Sequence, residues 1–563
     1  MKICTELIIT TNGVERTNTY DKADRVTSAT DSRGGKVDWA YHDKANSKTE
    51  KLKEQTEQTV TQGGYTNKVS YDYNMLDQNI RVTDGSQTYR IDYDDQGNVR
   101  TYTAGNGSGS TFNYDHANKI KDLVVGTSNS ILLSERYEYD QAGNRTKIKH
   151  EGAGGKVTET NFVYDPINQL LNEALPNGTS KSYTYDGFGN RTSVKVVENG
   201  KETKSIAATF NEGNQLVKFG NESLTYDANG NRTSDGKYKY TWNEHDQIVA
   251  ITKQGESNAF ATYKYDDDNR RIEKSINGQV TRYFYNGDSI SPLYETDGNG
   301  NVLRQYVYSL DGSRLAMKSK GQTLYYHYNP RGHVVAMTDQ NKEVVATYEY
   351  DSWGNVVKSD AKGIAADNPF GYAGYMYDKE IGMYYLIARY YNPDHGVFLS
   401  VDPDPGDEDD PITQNAYTYA HNNPVMKIDA DGHHPVIIAG IYGYRIYKGY
   451  KAYKKVQKIS KITKNAKKYK GNIGNKTSSY KDVTKPGTIV RNRQTNLTRR
   501  EFENNLAQNG WKASKSKDGN VSIMIKNGAK YIVRNNAKST KKPTADYTPK
   551  GKQRATLKIR LKG

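Results

Sequence analysis

One eight-residue pattern returns along most of this 563-residue chain and constrains its fold more than any other feature. It reads YDDQGNVR at 93–100, YDQAGNRT at 139–146, YDGFGNRT at 185–192, YDANGNRT at 226–233 and YDSWGNVV at 350–357. The aromatic residue that opens it recurs mostly every 20–25 residues, a spacing typical of repeat architectures. Its positions are Tyr93, Tyr114, Tyr139, Tyr164, Tyr185, Phe210, Tyr226, Tyr265, Tyr285, Tyr308, Tyr328 and Tyr350.

Each repeat is predicted to be a strand, a turn and a second strand. In 180–200, apolar and polar residues alternate around Tyr183 and Tyr185, then again after a GFGN turn. Gly189 and Asn190 are expected to supply the positive φ angles of that turn. The Asp186 carboxylate is expected to accept hydrogen bonds from turn amides rather than to bind calcium or sugar. The repeats are therefore predicted to be scaffold.

The composition favours a thin, mainly β structure over a deep apolar core. The chain has 47 Tyr against 10 Phe and is 34% hydrophobic, and tyrosine covers apolar surface while its hydroxyl stays hydrated. A single cysteine, Cys4, excludes an intrachain disulfide framework. The opening residues carry no signal-peptide pattern and already read as a worn repeat at 18–37, so we expect the chain to be the C-terminal piece of something longer.

The charge is divided sharply between two parts of the chain. Residues 437–563 hold 33 Lys and Arg against 5 Asp and Glu, a balance of +28, whereas the whole chain has +15, which leaves −13 on the first 436 residues. Such asymmetry indicates contact of the basic part with nucleic acid or membrane.

The repeats over roughly 15–360 resemble the YD repeats of the Rhs family of polymorphic toxins. The stretches PFGYAGYMYDKEIGMYYLIARYYNPDHGVFLSVDPDPG at 369–406 and NAYTYAHNNPVMKIDADGH at 415–433 resemble the repeat-associated core of that family. Within it, the chain is similar to the cell wall-associated WapA proteins of Bacillus, whose tails are described as tRNA-cleaving toxins.

The resemblance implies a strand-rich shell coiled around a variable C-terminal toxin. We expect a repeat segment over 1–360, a repeat-associated core over 361–436, a basic linker over 437–487 and a toxin domain over 488–563. It also implies a secreted or wall-associated parent protein and a toxin that acts in the cytoplasm of the target cell. A tail balance of +28 predicts an acidic immunity protein as partner.

In shell-forming relatives an arginine and two aspartates support cleavage of the toxin from the shell. Motif by motif, the matching residues are Arg389 of ARYY, Asp402 of SVDP and Asp429 of the closing motif. That motif reads DADG here rather than D-P-x-G, and His433 stands where leucine is usual. The alternative is that Arg389 and Asp402 form a structural ion pair. The adjacent His433 and His434 are too few ligands for a metal.

The tail begins with an apolar stretch that passes into regularly spaced lysines over 435–470. It is interpreted as a segment for transient membrane passage, a nucleic-acid arm or a solvated linker helix. Beyond it, a helix is predicted over 497–511, with Thr498 as N-cap and Glu501 completing a capping box. Strands are predicted over 520–528, 529–536 and 554–563. This small α+β unit is similar to ribonucleases grouped with barnase, colicin E5 and RelE.

The chemistry of the tail is limited by what it lacks. No His or Cys follows residue 434, so metal-dependent DNA cleavage and histidine-based hydrolysis are disfavoured. Ribonucleolysis needs neither, because the 2′-hydroxyl of RNA is the nucleophile. The sequence therefore predicts a metal-independent ribonuclease without cofactor, with tRNA as the expected substrate.

Five residues of the tail are candidates for this reaction. Arg534 and Arg560 are expected to balance phosphate charge, Lys558 or Tyr547 to handle protons, and Thr548 to position the substrate. The alternative is a solvated basic face that only follows the RNA backbone. A deoxyribonuclease, a non-catalytic nucleic-acid binder and a wall-binding surface protein remain as alternative functions.

Overall fold

The computed structural model forms two compact units, residues 1–453 and 454–563. It describes residues 6–21, 25–41, 55–127, 130–152, 155–287, 289–404, 413–433, 435–437, 480–482, 490–508, 511–516, 520–526, 528–535, 542–550, 552 and 554–562.

The first unit opens with a 20-stranded sheet in which each strand pairs antiparallel with the next one along the chain. Its strands are β1 Glu6–Thr11, β2 Val14–Tyr20, β3 Val26–Asp31, β4 Gly35–Tyr41, β5 Gln55–Gln62, β6 Tyr65–Tyr73, β7 Asn79–Asp84, β8 Gln87–Tyr93, β9 Val99–Thr103, β10 Gly109–Tyr114, β11 Ile120–Gly126, β12 Ile131–Tyr139, β13 Arg145–Gly152, β14 Val157–Tyr164, β15 Leu170–Ala174, β16 Thr179–Tyr185, β17 Arg191–Glu198, β18 Lys201–Phe210, β19 Leu216–Phe219 and β20 Glu222–Ser223.

A 14-stranded sheet follows with the same antiparallel order. Its strands are β21 Thr225–Tyr226, β22 Arg232–Ser234, β23 Tyr238–Trp242, β24 Ile248–Lys253, β25 Ala261–Tyr265, β26 Arg271–Ile276, β27 Gln279–Tyr285, β28 Pro292–Asp297, β29 Val302–Tyr308, β30 Arg314–Ser319, β31 Gln322–Tyr328, β32 Val334–Thr338, β33 Val344–Tyr350 and β34 Val356–Ala361. The predicted strand–turn–strand repeat is confirmed.

The repeated tyrosine marks a break in the strand ladder. The register shifts between Thr184 and Tyr185, and an equivalent shift occurs at Tyr139 and at Tyr164. A shift of this kind frees main-chain groups from the ladder. The hydroxyl of the next repeated tyrosine supplies a partner: Tyr164 donates to the Arg145 carbonyl at 2.7 Å, and Tyr185 to that of Leu170 at 2.7 Å. The chain thus uses tyrosine where phenylalanine would leave a carbonyl unpaired.

The repeated aspartate organises the turn, as predicted. Asp186 Oδ1 accepts hydrogen bonds from the main-chain N–H of Phe188 and Asn190, both at 2.9 Å. Gly189 has φ of +76°, which suits glycine. The expectation of a positive φ at Asn190 was wrong, since Asn190 is not among the residues with positive φ. Its role in the turn lies in its side-chain amide, which donates to Asp186 Oδ2 and to Asn214 Oδ1.

The two large sheets contact each other at long and gradually decreasing sequence separations. Asn12 donates to the Tyr265 carbonyl, 253 residues away, and Trp39 to Asn286, 247 residues away. Asn106 donates to the Asp339 carbonyl, 233 residues away. Buried side chains of both sheets therefore share two large apolar cores.

The described residues between 363 and 437 form short elements against the repeats. These are 3-10 turns at Gly363–Asp367, Tyr372–Gly374 and Ala420–Asn422, and strands β35 Met376–Asp378, β36 Met383–Tyr385, β37 Tyr390–Asn392, β38 Val397–Phe398, β39 Lys427–Asp429 and β40 Pro435–Ile437. The segment lies along the repeat turns: Asn422 donates to the Gly189 carbonyl at 2.6 Å and Asn423 to Asn144 at 3.0 Å. It is tied further by the buried ion pair of Arg271 with Asp378.

In the second unit, the described residues form a seven-stranded sheet and one helix. Its elements are β41 Tyr480–Asp482, β42 Arg491–Thr498, α1 Arg499–Gln508, β43 Lys512–Lys515, β44 Val521–Lys526, β45 Ala529–Arg534, β46 Thr544–Thr548 and β47 Leu557–Lys562. All neighbouring strands are antiparallel except β42 and β47, which are parallel.

The predicted capping box begins helix α1. The Thr498 N–H and hydroxyl both donate to Glu501 Oε2, at 2.7 and 2.8 Å, and the Glu501 N–H donates back to the Thr498 hydroxyl at 3.3 Å. The helix packs on one face of the sheet through a core that includes Phe502, Met524, Val533, Ala545 and Ile559. The opposite face of the sheet carries charged side chains, such as Asp546 and Lys558, together with Ile523 and Ile532.

Candidate functional site

The structure brings together the three residues expected near the end of the repeat-associated core. Arg389 directly precedes β37, Asp402 follows β38, and Asp429 ends β39. Arg389 Nη2 lies 2.8 Å from Asp402 Oδ2 and 3.1 Å from Asp429 Oδ2. One guanidinium nitrogen thus holds both carboxylates.

The remaining nitrogens of Arg389 bind main-chain carbonyls. Nε donates to the Gly432 oxygen at 2.6 Å, and Nη1 donates to the Ala416 oxygen at 2.9 Å. The guanidinium also stacks over the Phe398 ring, 3.6 Å from its centroid. All three nitrogens of this guanidinium therefore have a partner, and its charge lies against the carbonyl that precedes His433.

Asp429 is fully buried and holds the turn that follows it. Its Oδ1 accepts from the N–H groups of Gly432 and His433, at 2.9 and 3.0 Å. Its own N–H donates to the Tyr375 hydroxyl at 3.0 Å. Burial raises the pKa of the Asp429 carboxyl, although Arg389 opposes the shift.

Asp402 is less enclosed, with 17% of its side chain exposed. Burial nevertheless raises the pKa of this carboxyl to about 6, against the opposing effect of Arg389. His433 lies 3.4 Å from the Asp431 carboxylate, and the acidic neighbours Asp431 and Asp429 raise the pKa of its imidazole despite burial. The cluster can therefore hold or release protons close to neutral pH.

This arrangement suits two different tasks. A carboxyl that titrates near pH 6, a second carboxylate and a cation on the Gly432 carbonyl are the groups that peptide-bond cleavage needs. The same contacts also pin three chain segments together as a structural ion-pair cluster. His434, which follows this turn, lies outside the described residues.

In the second unit, the strand register places the candidate tail residues on two faces of the sheet. Arg534 lies opposite Thr544, and Thr544 lies opposite Arg560. Lys558 lies opposite Asp546, and Thr548 follows two residues after Asp546 on the same strand. Since paired and alternate residues share a face, Arg534, Lys558, Arg560 and Thr548 come together on the face opposite helix α1.

Tyr547 lies on the other face. Its ring is 4.8 Å from that of Tyr531 and 6.2 Å from that of Trp511, and Tyr531 in turn packs against Phe502 of α1 at 5.5 Å. Tyr547 thus belongs to the aromatic edge of the core rather than to the face that carries Arg534, Lys558 and Arg560.

The sheet face that carries Arg534 and Lys558 also contains a carboxylate that the sequence analysis did not select. Asp546 forms an ion pair with Arg534 Nη1. The other acidic side chains described in this unit belong to the helix, where Glu501 caps α1 and Glu503 pairs with Arg499 at 2.5 Å. This position has no usable signal in the sequence, because the stretch TADYT is too short to be recognised as the strand that places Asp546 opposite Lys558.

Two polar groups near this carboxylate are buried and unsatisfied among the described residues, namely Thr544 Oγ1 and Arg560 Nε. Buried polar groups usually have a hydrogen-bond partner. We call the set Arg534, Thr544, Asp546, Thr548, Lys558 and Arg560 the basic face.

Within the described ranges, one group of acidic side chains is close enough to hold a metal ion, Asp266, Asp267 and Asp268. Arg16 and Arg270 already pair with Asp266, at 3.1 and 2.9 Å. These carboxylates are therefore balanced by protein cations.

The predicted membrane-passage segment over 435–470 lies outside the described residues from 438 onward. Among the residues that the structure does describe, none belongs to a helix of the length and apolarity that a membrane crossing requires.

Comparison with known proteins identifies relatives of this chain. The chain is 42% identical over 377 residues to the tRNA nuclease WapA of Bacillus subtilis strain 168, which covers 66% of this chain and 16% of that protein. It is 47% identical over 364 residues to the tRNA(Glu)-specific nuclease WapA of Bacillus subtilis subsp. natto, covering 64% of this chain and 15% of that protein. The chain thus spans about a sixth of the length of these curated relatives.

A solved structure shows the same fold. The TcdB2-TccC3-Cdc42 crystal structure superposes with a TM-score of 0.57 at 20% sequence identity, over 75% of this chain and 22% of that one. Residues 108–425, with their tyrosine-marked hairpins and most of the segment that lies along the repeat turns, match the Teneurin YD-shell family. The chain belongs to the Teneurin YD-shell family.

Proposed function

We propose that this chain is part of an interbacterial toxin in which the YD repeats carry a C-terminal ribonuclease that cuts tRNA without a metal. The observation that supports this most directly is the basic face, where Arg534 pairs with Asp546, Lys558 lies opposite Asp546 on the neighbouring strand, and two buried polar groups lack a partner among the described residues. The proposed α+β domain is of the small ribonuclease type to which barnase, colicin E5 and RelE belong.

In this proposal Asp546 is the general base. It accepts the proton of the RNA 2′-hydroxyl, whose oxygen then attacks the adjacent phosphorus. Arg534 orients the Asp546 carboxylate through their ion pair and faces the developing phosphorane charge. The 5′-oxygen leaves with a proton, which Lys558 supplies, and the products are a 2′,3′-cyclic phosphate and a free 5′-hydroxyl.

Arg560 and Thr548 complete the proposed site. Arg560 has a buried Nε without a partner among the described residues and is placed to bind a phosphate oxygen. Thr548 is 4% exposed, so it is proposed to position the strand that carries Asp546 rather than to touch the substrate. Tyr547 is proposed to support this strand through its aromatic contacts instead of transferring protons.

The choice of tRNA is supported by the relatives, two of which are named tRNA nucleases. The shared region is a small part of those proteins, so the substrate is part of the proposal. We further propose that the parent protein is secreted or wall-associated, that the toxin acts in the cytoplasm of the target cell, and that an acidic immunity protein covers the basic tail.

The cluster of Arg389, Asp402 and Asp429 is proposed to release the tail by cutting the chain next to His433. The support is the contact of Arg389 Nε with the Gly432 carbonyl together with a carboxyl whose pKa is about 6. If the full chain stays intact after prolonged incubation at pH 6, the cluster is a structural ion pair instead.

The test is to incubate the purified full chain with total tRNA in EDTA and to map the ends of the fragments. Cleavage with 2′,3′-cyclic phosphate ends is expected, and a substrate with a 2′-deoxy sugar at the cut site should stay intact. Asp546→Asn should lower the rate about 10²–10⁴-fold, whereas the exposed control Arg554→Met should not.

Three outcomes would contradict the proposal. Intact tRNA under these conditions removes the ribonuclease. Cleavage of DNA that depends on added Mg²⁺ favours a deoxyribonuclease. Binding of tRNA without any cleavage favours a non-catalytic binder or a wall-binding protein.

A further inference from the structure

The first unit contains a cavity of about 200 Å³ that neither proposed reaction uses. Its wall is largely apolar and includes Ile91, Val99, Leu315, Phe370, Met376 and Leu386. This volume is far above the ~10–15 Å³ that one water molecule requires. The cavity can therefore accept an organic molecule with an apolar body.

Two arginines line this apolar cavity, and both are buried. Arg314 is 7% exposed and Arg331 is 9% exposed. Arg314 is held in place, because its Nε donates to the Tyr308 hydroxyl at 3.2 Å and its guanidinium lies 3.2 Å from the centroid of the Phe370 ring. It has no carboxylate partner among the described residues.

The guanidinium of Arg331 has no hydrogen bond or ion pair within the part of the chain that the structure describes. Its main-chain N–H donates to Asn329 at 3.0 Å, which accounts for the backbone alone. Burial lowers the pKa of Arg331, and the positive charge of Arg145 lowers it further. A buried cation in this position is costly unless an anion balances it.

The protein's own carboxylates near this cavity are engaged elsewhere. Asp311 lines the wall, and its Oδ1 accepts hydrogen bonds from the Ser309 hydroxyl and the Ser313 N–H. Glu135, which acts on Arg331 electrostatically, accepts from Tyr137 and pairs with His150 at 3.0 Å. The cavity thus combines an apolar wall with a positive charge that no neighbouring carboxylate among the described residues pairs with.

We propose that this cavity binds an apolar organic anion, a monocarboxylate with an aromatic or branched aliphatic body. The carboxylate would pair with Arg331, and the body would lie against the apolar wall. An inorganic anion lacks the apolar surface that such a wall needs, so it fits less well. The site differs from the cluster of Arg389, although Tyr375, which lines the cavity, also accepts the N–H of Asp429.

The experiment titrates the full chain with 3-phenylpropionate, 4-methylpentanoate and indole-3-acetate by calorimetry, and with the amide of each acid as neutral control. At least one acid should bind saturably, with an affinity at least tenfold above that of its amide. Arg331→Met should reduce the affinity for the acid to that for the amide, because it removes the charge and keeps the apolar stem. The exposed Arg90→Met is the matched control and should bind like the unchanged protein.

A second variant keeps the test decisive if Arg331→Met does not fold. Ser291 lines the cavity, and Ser291→Leu fills part of its volume without altering a charge, so it should abolish binding of the acid. The proposal is overturned if none of the three acids binds, if acid and amide bind equally, or if the folded Arg331→Met or Ser291→Leu protein binds the acid as before.

Discussion

The hydroxyl of Tyr185 donates a hydrogen bond of 2.7 Å to the main-chain carbonyl of Leu170. Leu170 lies opposite Tyr164, where the ladder between β14 and β15 shifts register. The bond therefore joins the tyrosine of one repeat to the irregular position of the repeat before it. The same relationship links Tyr164 to Arg145 and Tyr265 to Ile248.

Tyr185→Phe should lower the free energy of unfolding by about 1–3 kcal/mol, because a buried carbonyl loses its partner while the ring is kept. The matched control is Tyr20→Phe, since the Tyr20 hydroxyl has no partner among the described residues. Denaturant unfolding of both variants measures the difference. Equal midpoints for the two would show that the hydroxyl contributes nothing.

Asp402→Asn should change how stability depends on pH. Burial raises the pKa of the folded-state carboxyl to about 6, whereas an unfolded aspartate titrates near 3.9. The folded state therefore binds the extra proton between about pH 4 and 6, and the unchanged protein should lose roughly 2–3 kcal/mol as the pH rises through this window. The amide of the variant cannot titrate, so the difference in stability between the two proteins should follow this curve; a difference that is constant with pH would contradict it.

Lys558→Met and Arg560→Met should each weaken tRNA binding and reduce the slope of log affinity against log salt by about 1, if each side chain contacts one phosphate. Arg554→Met is the control, because Arg554 is exposed and precedes strand β47, outside the basic face. Filter binding in EDTA at several salt concentrations measures the slopes. Slopes that match the control would remove these two residues from the interface.

Thr498→Ala should destabilise helix α1 by about 1 kcal/mol, because the capping bonds with Glu501 are lost. Hydrogen exchange of the α1 amides in the full chain reports this as roughly fivefold faster opening. Ser514→Ala on β43 changes an exposed hydroxyl and should leave those amides unaffected. Unchanged protection in the threonine variant would show that the cap does not limit opening.

The repeat could be predicted from the sequence because its tyrosine, aspartate and glycine each have a local physical role in the same turn. The prediction failed where another residue takes over a role. No repeat was expected between Tyr226 and Tyr265, yet Trp242 stands at a register shift there and donates to the Arg232 carbonyl at 2.7 Å. The indole N–H of Trp242 replaces the phenolic hydroxyl as donor. A search for repeated tyrosines therefore misses this repeat.

The proximity of Arg389, Asp402 and Asp429 could be expected only from the resemblance to a family, since the contacts join residues up to 40 positions apart in the chain. In the tail, the alternation of Leu557 to Leu561 was sufficient to place Lys558 and Arg560 away from the core. Strand β46 was not predicted, because TADYT is short and follows a polar stretch. Without its register, the face of Tyr547 and the position of Asp546 could not be assigned.

The contacts between Asn12 and Tyr265, Trp39 and Asn286, and Asn106 and Asp339 join positions that are separated by similar lengths of chain. If one hairpin were inserted or removed between the two members of these pairs, all three contacts would lose their alignment together. Homologous chains should therefore vary in hairpin number near the ends of the ribbon, while the number enclosed between such partners stays constant.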